Sequence, residues 1–399
     1  MARLTRRTML AAGAASLAAP AVLRAQPASV KLGLIHPVTG PLAFSGGQCR
    51  LGGQLAIEDV NADGGIKAMG GAKLEALLGD AQLKPELAAS LVDQFAEAGA
   101  SGFTGCFSSS LGLAATQAAA KYDLPFSIDS GVADSLTARG LANTFRLFPP
   151  ATPTVIGAVA ELDALNKAAG SPVKSAVLVH ENSEFGTNTA NVLKEKLPGI
   201  GIAVPEVIPH PTPTRDFSNI VLRIKEQKPE LVILSNYVNE YVLLIRTLVQ
   251  QRVPLVAMFS VLGGGFDLKF AHDQPEVSEN VMDFNHWYNP RKPEAVAFRK
   301  RVVDAGHVFS WEVLFGYYAV RLLADGFQRA GTADKKQVLP ALAASTYFPD
   351  MLPYGPTKFV NGQNQGCQAV GLQIQDHDIK VVYPEQFADA KPVFPRPKI

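Results

Sequence analysis

Short runs rich in β-branched and aromatic residues alternate with longer helical segments along almost the whole chain, and no other feature constrains the fold as strongly. Val30 to Ile35 is the first such run, and Gln48 to Asn61 follows it with apolar residues at helical spacing. This alternation is typical of a parallel sheet whose strands are joined by crossover helices. The sequence therefore predicts an α/β fold.

The alternation falls into two series of similar length. A stiff segment from Pro149 to Pro153 ends the first series, and helix and strand patterns then restart. The chain is predicted to be helical again from Pro293 to Ala330 and to end in a hairpin of Leu372–Gln375 and Lys380–Tyr383. Because 399 residues are too many for one ordinary core, we expect two lobes of the same architecture.

The first 25 residues have the features of an export signal. Arg6 and Arg7 form a charged start, Met9 to Leu23 is mostly apolar, and Ala25 offers a cleavage site before Gln26. An apolar stretch of about 15 residues is shorter than the roughly 20 that span a bilayer, which argues against a membrane anchor. We therefore expect a periplasmic mature protein. The arginine pair favours the twin-arginine route, although ordinary secretory signals also contain such pairs.

Charge and composition exclude several classes of protein. The precursor has a net charge of +1, and removal of the four arginines of the signal leaves −3. No basic run is interleaved with aromatic residues, so we expect no nucleic-acid partner. A hydrophobic content of 47% without a second long apolar segment indicates a well-packed, non-membrane protein. We expect a monomer.

Three widely spaced cysteines, Cys49, Cys106 and Cys367, give no metal-site spacing, and an odd number leaves at least one unpaired in a monomer. Cys49 and Cys106 could form a disulfide, but we favour three buried free thiols. No motif indicates a cofactor.

Small, hydroxylic or aromatic residues follow the predicted strands of the first series. In open parallel sheets, ligands bind beyond the carboxyl ends of the strands, so these residues are candidates for a ligand site. The candidates are Phe44, Ser45, Ser108, Ser109, Ser130, Gly131 and Val132. The serines at 108–110 precede a predicted helix, whose free N–H groups and dipole favour a bound anion such as a carboxylate. The alternative is that these serines only cap the helix, which is worth about 1 kcal/mol.

Several ordered motifs resemble those of a known family. They are Leu34-Ile-His-Pro-Val-Thr-Gly-Pro-Leu-Ala43, Ala56-Ile-Glu-Asp-Val-Asn-Ala-Asp-Gly-Gly-Ile66, Asp80, the serine run, His180-Glu-Asn-Ser-Glu-Phe-Gly186, Asp216-Phe-Ser218 and Tyr354-Gly-Pro356. Together they make the chain similar to the type I periplasmic solute-binding proteins of ABC transporters, in the leucine/isoleucine/valine-binding and amide-binding branch.

The resemblance implies two Rossmann-like lobes that close on a ligand, and permease subunits as partners. It places three crossings near Phe148-Pro149, Met282–His286 and Tyr354–Thr357. Lobe 1 would then comprise residues 26–148 and 286–355, and lobe 2 residues 149–285 and 356–399.

The resemblance also implies roles for individual residues. Ser108 and backbone groups at Ser130 and Val132 would hold a ligand carboxylate, while Phe185 and Tyr237 would pack on the ligand from the second lobe. Taken in isolation, Phe185 would more often be a core residue, whereas a core role and a ligand role are balanced for Tyr237. His180 ends a predicted strand and is a further candidate, with a structural, hydrogen-bonding role as the alternative. The aromatic residues at 311, 315 and 318 have helical spacing and are predicted to be core.

One departure from the family pattern bears on the ligand. Amino-acid binders pair the ligand ammonium with an acid in the second lobe, but the corresponding stretch from Phe259 to Gly263 has none. Asp267 or Glu240 could replace it from neighbouring turns. Because a buried, unpaired ammonium is costly, we favour a small monocarboxylate without an amino group and with an apolar or aromatic body.

An enzyme and a sensor are the two alternatives to a transport protein. An enzyme is disfavoured because the chain has no nucleophile elbow, zinc motif or phosphate loop. A sensor that passes its ligand signal to a receptor would share every feature described above, so the sequence does not separate it from a transport protein.

Overall fold

The computed structural model describes residues 29–397, and the predicted export signal therefore lies outside the described residues. The strands are β1 (Val30–His36), β2 (Leu74–Asp80), β3 (Ala100–Gly105), β4 (Phe126–Ile128), β5 (Thr144–Arg146), β6 (Ser175–Glu181), β7 (Ala203–His210), β8 (Leu231–Ser235), β9 (Ala257–Val261), β10 (Met282–Asn285), β11 (Phe359–Val360), β12 (Gln363–Asn364), β13 (Val370–Gln375) and β14 (Asp378–Tyr383). The α-helices are α1 (Ala43–Ala62), α2 (Pro85–Glu97), α3 (Ser109–Ala120), α4 (Ser135–Ala138), α5 (Ala151–Ala168), α6 (Glu184–Lys196), α7 (Ser218–Gln227), α8 (Val238–Gln250), α9 (Leu268–Asp273), α10 (Pro275–Ser278), α11 (Pro293–Asp304), α12 (Trp311–Ala330) and α13 (Lys335–Ala343).

The strands form two sheets of seven strands, with the orders β11-β12-β5-β4-β3-β1-β2 and β14-β13-β10-β9-β8-β6-β7. The five-stranded blocks β2-β1-β3-β4-β5 and β7-β6-β8-β9-β10 are parallel and have the same internal order. The predicted α/β fold with two similar lobes is confirmed. In each block the strand order reverses at the first strand, which creates a crevice between β1 and β3 and another between β6 and β8.

The chain passes between the two sheets three times. The first passage follows β5, at Phe148 and Pro149, and the second follows β10. The third lies between β12 and β13, so the expected crossing at Tyr354–Thr357 is wrong, and residues 359–364 belong to the first sheet instead of to lobe 2.

Side-chain hydrogen bonds explain why this short segment stays with the first sheet. The Asn364 side chain donates to the carbonyl oxygen of Leu147 at 2.8 Å. Gln363 accepts from Arg146 Nε at 2.7 Å and donates to the carbonyl oxygen of Phe148 at 2.9 Å. Strands of two residues are too short to show a hydrophobic period, so they were not predicted from the sequence.

Helices α1 and α12 cross at close range in the first lobe. A Cβ added to Gly52 of α1 would overlap the carbonyl oxygen of Val313, and one added to Gly316 of α12 would overlap that of Cys49. Only glycine permits this approach, which fixes the first turn of α12 against the sheet.

The three cysteines are free in the structure; Cys49 and Cys106 are buried and Cys367 is half-buried. Within residues 29–397, no helix combines the length and apolar character needed to cross a membrane.

Candidate ligand-binding site

A cavity lies between the two lobes, at the carboxyl ends of the parallel strands. The space among its lining residues that no protein atom fills, including solvent at its open side, is about 330 Å³. Its lining residues are Phe107, Ser109, Ser130, Val132, Phe185, Tyr237, Leu262, Gly264, Asn285, His286 and Trp311. Phe107 and Ser109 follow β3, Phe185 follows β6 and Tyr237 follows β8, so the crevices of both sheets contribute to one site.

The first lobe supplies hydroxyl and backbone donors. Ser109, the first residue of α3, accepts a hydrogen bond from the N–H of Ala133 at 3.2 Å, which leaves its own hydroxyl proton free. Ser108 makes no capping bond to the helix, and its Oγ accepts from the Tyr237 hydroxyl at 3.4 Å. In the described part of the chain, the N–H groups of residues 130–132 have no protein acceptor. These donors converge on the N-terminus of a helix, where an anion is favoured.

A buried arginine holds the loop of residues 130–133. Arg146 Nη1 donates to the carbonyl oxygens of Gly131 and Ala133 at 2.9 and 2.8 Å. Its side chain is fully buried, and burial lowers its pKa to about 10, so it remains cationic at neutral pH. The loop is thereby fixed, and a positive charge lies behind it.

Aromatic rings form the wall that faces these donors. The ring centroid of Tyr237 lies 5.3 Å from that of Phe185 and 5.7 Å from that of Phe107. The centroids of Phe107 and Trp311 are 6.2 Å apart. Such spacing is typical of packed aromatic pairs. The wall joins side chains of both lobes and offers a ligand apolar contact.

Two lining residues adopt a left-handed backbone conformation, which is uncommon outside glycine. Phe107 has φ 61° and Leu262 has φ 57°, each at the end of a central strand. The N–H of Phe107 donates to Asp129 at 2.9 Å, and Asp129 in turn contacts His36 at 2.8 Å. Strained conformations of this kind concentrate at functional sites.

The hinge side of the cavity is formed by residues that end β10. Asn285 donates to Asp283 at 2.8 Å, and its own oxygen accepts the N–H of His286 at 2.7 Å. His286 is fully buried, and burial, with a smaller effect of Arg146, lowers its pKa to about 3. The imidazole is therefore neutral.

The acids considered as counter-charges lie outside the lining. Asp267 caps α9, where it accepts from the N–H of Phe270 at 2.8 Å. Glu240 accepts from the N–H of Thr214 at 3.2 Å. Burial raises the pKa of both carboxyls, to about 6 for Asp267. None of the lining side chains is an acid.

Of the residues predicted from sequence, the structure brings together Ser109, Ser130, Val132, Phe185 and Tyr237 at the cavity. Ser108 joins the cluster through Tyr237, and Gly131 lies in the loop held by Arg146.

Three predicted residues lie elsewhere. Helix α1 begins at Ala43 instead of near Gln48, so Phe44 and Ser45 are helical; Phe44 lines a separate groove against α8 and α9. Ser45 is buried outside the cavity lining. His180 is turned towards its own lobe, with Nδ1 2.8 Å from the carbonyl oxygen of Glu181.

Sequence reasoning missed six lining residues: Phe107, Leu262, Gly264, Asn285, His286 and Trp311. Trp311 is buried in the core, as predicted, and is 5% exposed, but its ring also lines the cavity because α12 begins there. Phe315 and Tyr318 are core as predicted, each 1% exposed. Phe107 directly precedes the serine run. Its position just after a predicted strand is the sequence signal that could have identified it as a lining residue.

The two lobes touch across the cleft on either side of the cavity. The N–H of Asp134 donates to Asn188 Oδ1 at 2.9 Å, and Asn188 Nδ2 donates to Asp134 Oδ2 at 3.1 Å. Ser135 donates to Glu184 at 2.7 Å, and Asn239 donates to the carbonyl oxygen of Pro41 at 3.1 Å. The structure is therefore a closed form.

Comparison with known proteins gave consistent matches. A family model described as periplasmic binding protein matches residues 29–376. The Leu/Ile/Val-binding protein homolog 7 of Brucella melitensis is 27% identical over 382 residues, covering 91% of this chain and 94% of that protein. A leucine-binding protein of Thermotoga maritima superposes with a TM-score of 0.76 at 18% identity, covering 88% of this chain and 97% of that one. A solute-binding protein of R. palustris in complex with benzoate superposes with a TM-score of 0.77 at 20% identity, covering 92% and 98%.

Proposed function

This chain belongs to the periplasmic binding protein family, and from that premise we propose that it captures a small organic monocarboxylate without an amino group between its lobes. Proteins of this family bind small solutes for ABC transporters and work with the permease subunits in the membrane. The chain belongs to the Leu/Ile/Val-binding branch of type I proteins. Membership of the family does not by itself give the class of ligand.

The observation that carries the proposal is the lack of charge on the cavity wall. The side chains that line it are aromatic, aliphatic, hydroxyl, amide or neutral imidazole, and none is an acid. An ammonium group enclosed there would lose its hydration without gaining a counter-charge, which costs several kcal/mol. A free amino acid is therefore a poor fit.

A carboxylate has suitable partners in the first lobe. The hydroxyls of Ser108, Ser109 and Ser130 and the N–H of Val132 are neutral donors grouped at the start of α3. Hydrogen bonds from such donors to a carboxylate are charge-assisted and stronger than neutral ones. The buried cation of Arg146, behind the loop, adds a favourable potential.

The rest of the cavity suits an apolar body. Phe107, Phe185, Tyr237 and Trp311 present ring faces or edges, and Leu262 completes the surface. The R. palustris protein of the same fold is in complex with benzoate, which supports an aromatic acid. Branched-chain amino acids are the rival ligands, because the Brucella relative is named for them.

Matched ligand pairs test the proposal. Each pair contains an amino acid and the acid that lacks only the amino group: L-phenylalanine with 3-phenylpropanoate, and L-leucine with 4-methylpentanoate. We expect the acids, and benzoate, to raise the melting temperature, since a ligand at a hundred times its Kd stabilises by about 2.7 kcal/mol. Strong stabilisation by the amino acids and none by the acids would overturn the proposal.

Export is a separate part of the proposal. We propose that residues 1–25 are removed on export and that Arg6 and Arg7 direct the precursor to the twin-arginine route. Replacing both arginines by lysine should leave unprocessed precursor in the cytoplasm, which fractionation and immunoblotting would detect. Normal export of that variant would exclude the twin-arginine route.

A further inference from the structure

Two polar side chains on the cavity wall have no hydrogen-bond partner. The Trp311 indole nitrogen and both ring nitrogens of His286 lack a partner in the described part of the chain. Both residues line the cavity, and they are 5% and 0% exposed. Each buried polar group left unpaired costs about 1–3 kcal/mol, so partners are expected when the site is occupied.

The other polar side chains of the lining already have protein partners. Ser109 contacts the N–H of Ala133, Ser130 contacts Cys49, Tyr237 donates to Ser108, and Asn285 donates to Asp283. Among the lining side chains of the described residues, only the two nitrogens of His286 and the indole nitrogen of Trp311 have no partner at all.

These two rings are neighbours. Their centroids are 5.8 Å apart and their planes are inclined by 61°. One ligand atom could therefore contact nitrogens of both rings. Phe148 and Phe315 pack against His286 at 5.2 and 5.0 Å between centroids, which fixes the orientation of the imidazole.

The chemistry of the two rings selects the kind of ligand group. An indole nitrogen only donates, whereas a neutral imidazole offers one donor and one acceptor. A hydroxyl between the two rings pairs the indole donor and the imidazole acceptor together, because its oxygen accepts from the indole N–H while its proton goes to the free imidazole nitrogen; the imidazole N–H points away from that hydroxyl. A second carboxylate would leave the imidazole acceptor unpaired, and an aromatic amine would leave the indole donor unpaired.

We propose that His286 and Trp311 form a second polar subsite, and that the ligand is an aromatic monocarboxylate with a ring hydroxyl. This inference rests on the proposed carboxylate-binding function and narrows it. The serine cluster binds the carboxylate, and the imidazole and indole select the hydroxylated ring.

Calorimetric titration of the wild-type protein with five probes tests the subsite. The probes are benzoate, 4-methylbenzoate, 4-aminobenzoate, 3-hydroxybenzoate and 4-hydroxybenzoate. We expect at least one hydroxybenzoate to bind tenfold or more tightly than benzoate and 4-methylbenzoate, because a site built to hydrogen-bond a hydroxyl rejects analogues without it. Equal binding of benzoate and both hydroxybenzoates would overturn the inference and leave the proposed function standing. L-leucine is titrated in parallel, and binding of leucine with no binding of any benzoate would overturn both.

Two variants test whether the rings of His286 and Trp311 cause the preference for a hydroxybenzoate. His286→Phe and Trp311→Phe remove the nitrogens and keep an aromatic ring, so the preference for the hydroxybenzoate should fall at least fivefold while benzoate still binds. Tyr354→Phe is the matched control, because the Tyr354 hydroxyl is also buried without a partner but lies outside the cavity lining. An unchanged preference in both ring variants would exclude the subsite. The comparison of benzoate with the hydroxybenzoates on the wild-type protein tests the subsite even if a variant fails to fold.

Discussion

At the scale of single residues, the cavity combines many hydrogen-bond donors with no side-chain charge on its wall. The nearest fixed cation, Arg146, is buried behind the loop of Gly131 and contacts carbonyl oxygens there. The acids Asp267 and Glu240 are engaged with backbone N–H groups of their own lobe. The negative charge of the ligand is therefore bound by hydroxyls, backbone donors and a helix N-terminus.

Ser109 is the residue whose loss should affect binding most directly. Ser109→Ala removes one charge-assisted hydrogen bond of about 1.5–3 kcal/mol, so affinity for the carboxylate should fall roughly tenfold to a hundredfold. Ser110→Ala is the matched control, since Ser110 follows in the same run but does not line the cavity. Calorimetric titration with benzoate measures both variants, and an unchanged Kd for Ser109→Ala would remove this serine from the site.

Glu312 should make stability depend on pH. It is fully buried, and within residues 29–397 neither carboxyl oxygen makes a hydrogen bond of standard geometry. Burial raises its pKa to about 8, against a smaller lowering effect of the nearby Ser310 and Ser45 hydroxyls. Since the folded state holds this proton more tightly than the unfolded state, the free energy of unfolding should fall as pH rises from about 4.5 to 8, by up to about 1.4 kcal/mol per pH unit.

Glu312→Gln keeps the shape of the side chain and has no proton to release. Urea denaturation at pH 5, 6.5 and 8 should therefore show a shallower loss of stability for this variant than for the wild type. Parallel stability curves for the two proteins would contradict the assignment of the proton to Glu312.

At the scale of elements, the crossing of α1 and α12 positions Trp311 at the cavity. Gly52→Ala would drive a Cβ into the carbonyl oxygen of Val313, and overpacking of this kind costs about 1–3 kcal/mol. The melting temperature should fall, and ligand affinity with it, because the first turn of α12 must shift.

Gly47→Ala provides the control within the same helix. A Cβ at Gly47 meets open space, so this substitution should be neutral or stabilise by up to about 1 kcal/mol through helix propensity. Calorimetric melting of both variants tests the packing argument. Equal melting temperatures would show that the helix crossing tolerates a wider separation.

The sequence predicted those elements whose pattern is local. The alternation of strand and helix identified both lobes, and the serine run at the start of α3 identified one side of the cavity. Trp311 was predicted only as a core residue, because its place at the cavity depends on a helix crossing. His286 was recognised as ending a crossing, but a structural role was favoured for it, because its place at the cavity depends on the hinge passage after β10. The third crossing was misplaced because β11 and β12 have two residues each and are held by side-chain contacts to β5.

At the scale of the whole molecule, ligand capture depends on the balance between open and closed lobes. The pair of hydrogen bonds between Asp134 and Asn188 joins the lobes without touching the cavity. Such contacts stabilise the closed form only, so they contribute to apparent affinity through the closing equilibrium.

Asn188→Ala should therefore weaken ligand binding without altering a ligand contact. Loss of two hydrogen bonds of about 0.5–1 kcal/mol each corresponds to roughly fivefold to thirtyfold in Kd. Asn191→Ala, at an exposed position of the same helix, should leave the Kd unchanged. Small-angle scattering should show that the Asn188 variant needs more ligand to reach the compact form, and identical titration curves would contradict the role of this contact.

Native mass spectrometry can show whether the cavity accepts a carboxylate and excludes an ammonium. Unfolding and refolding would first remove any bound solute from the wild-type protein. The protein would then be offered an equimolar mixture of L-phenylalanine, L-leucine, 3-phenylpropanoate, 4-methylpentanoate and 4-hydroxybenzoate. We expect the mass of the complex to correspond to one molecule of an acid without an amino group. A complex with the mass of leucine or phenylalanine would contradict the account.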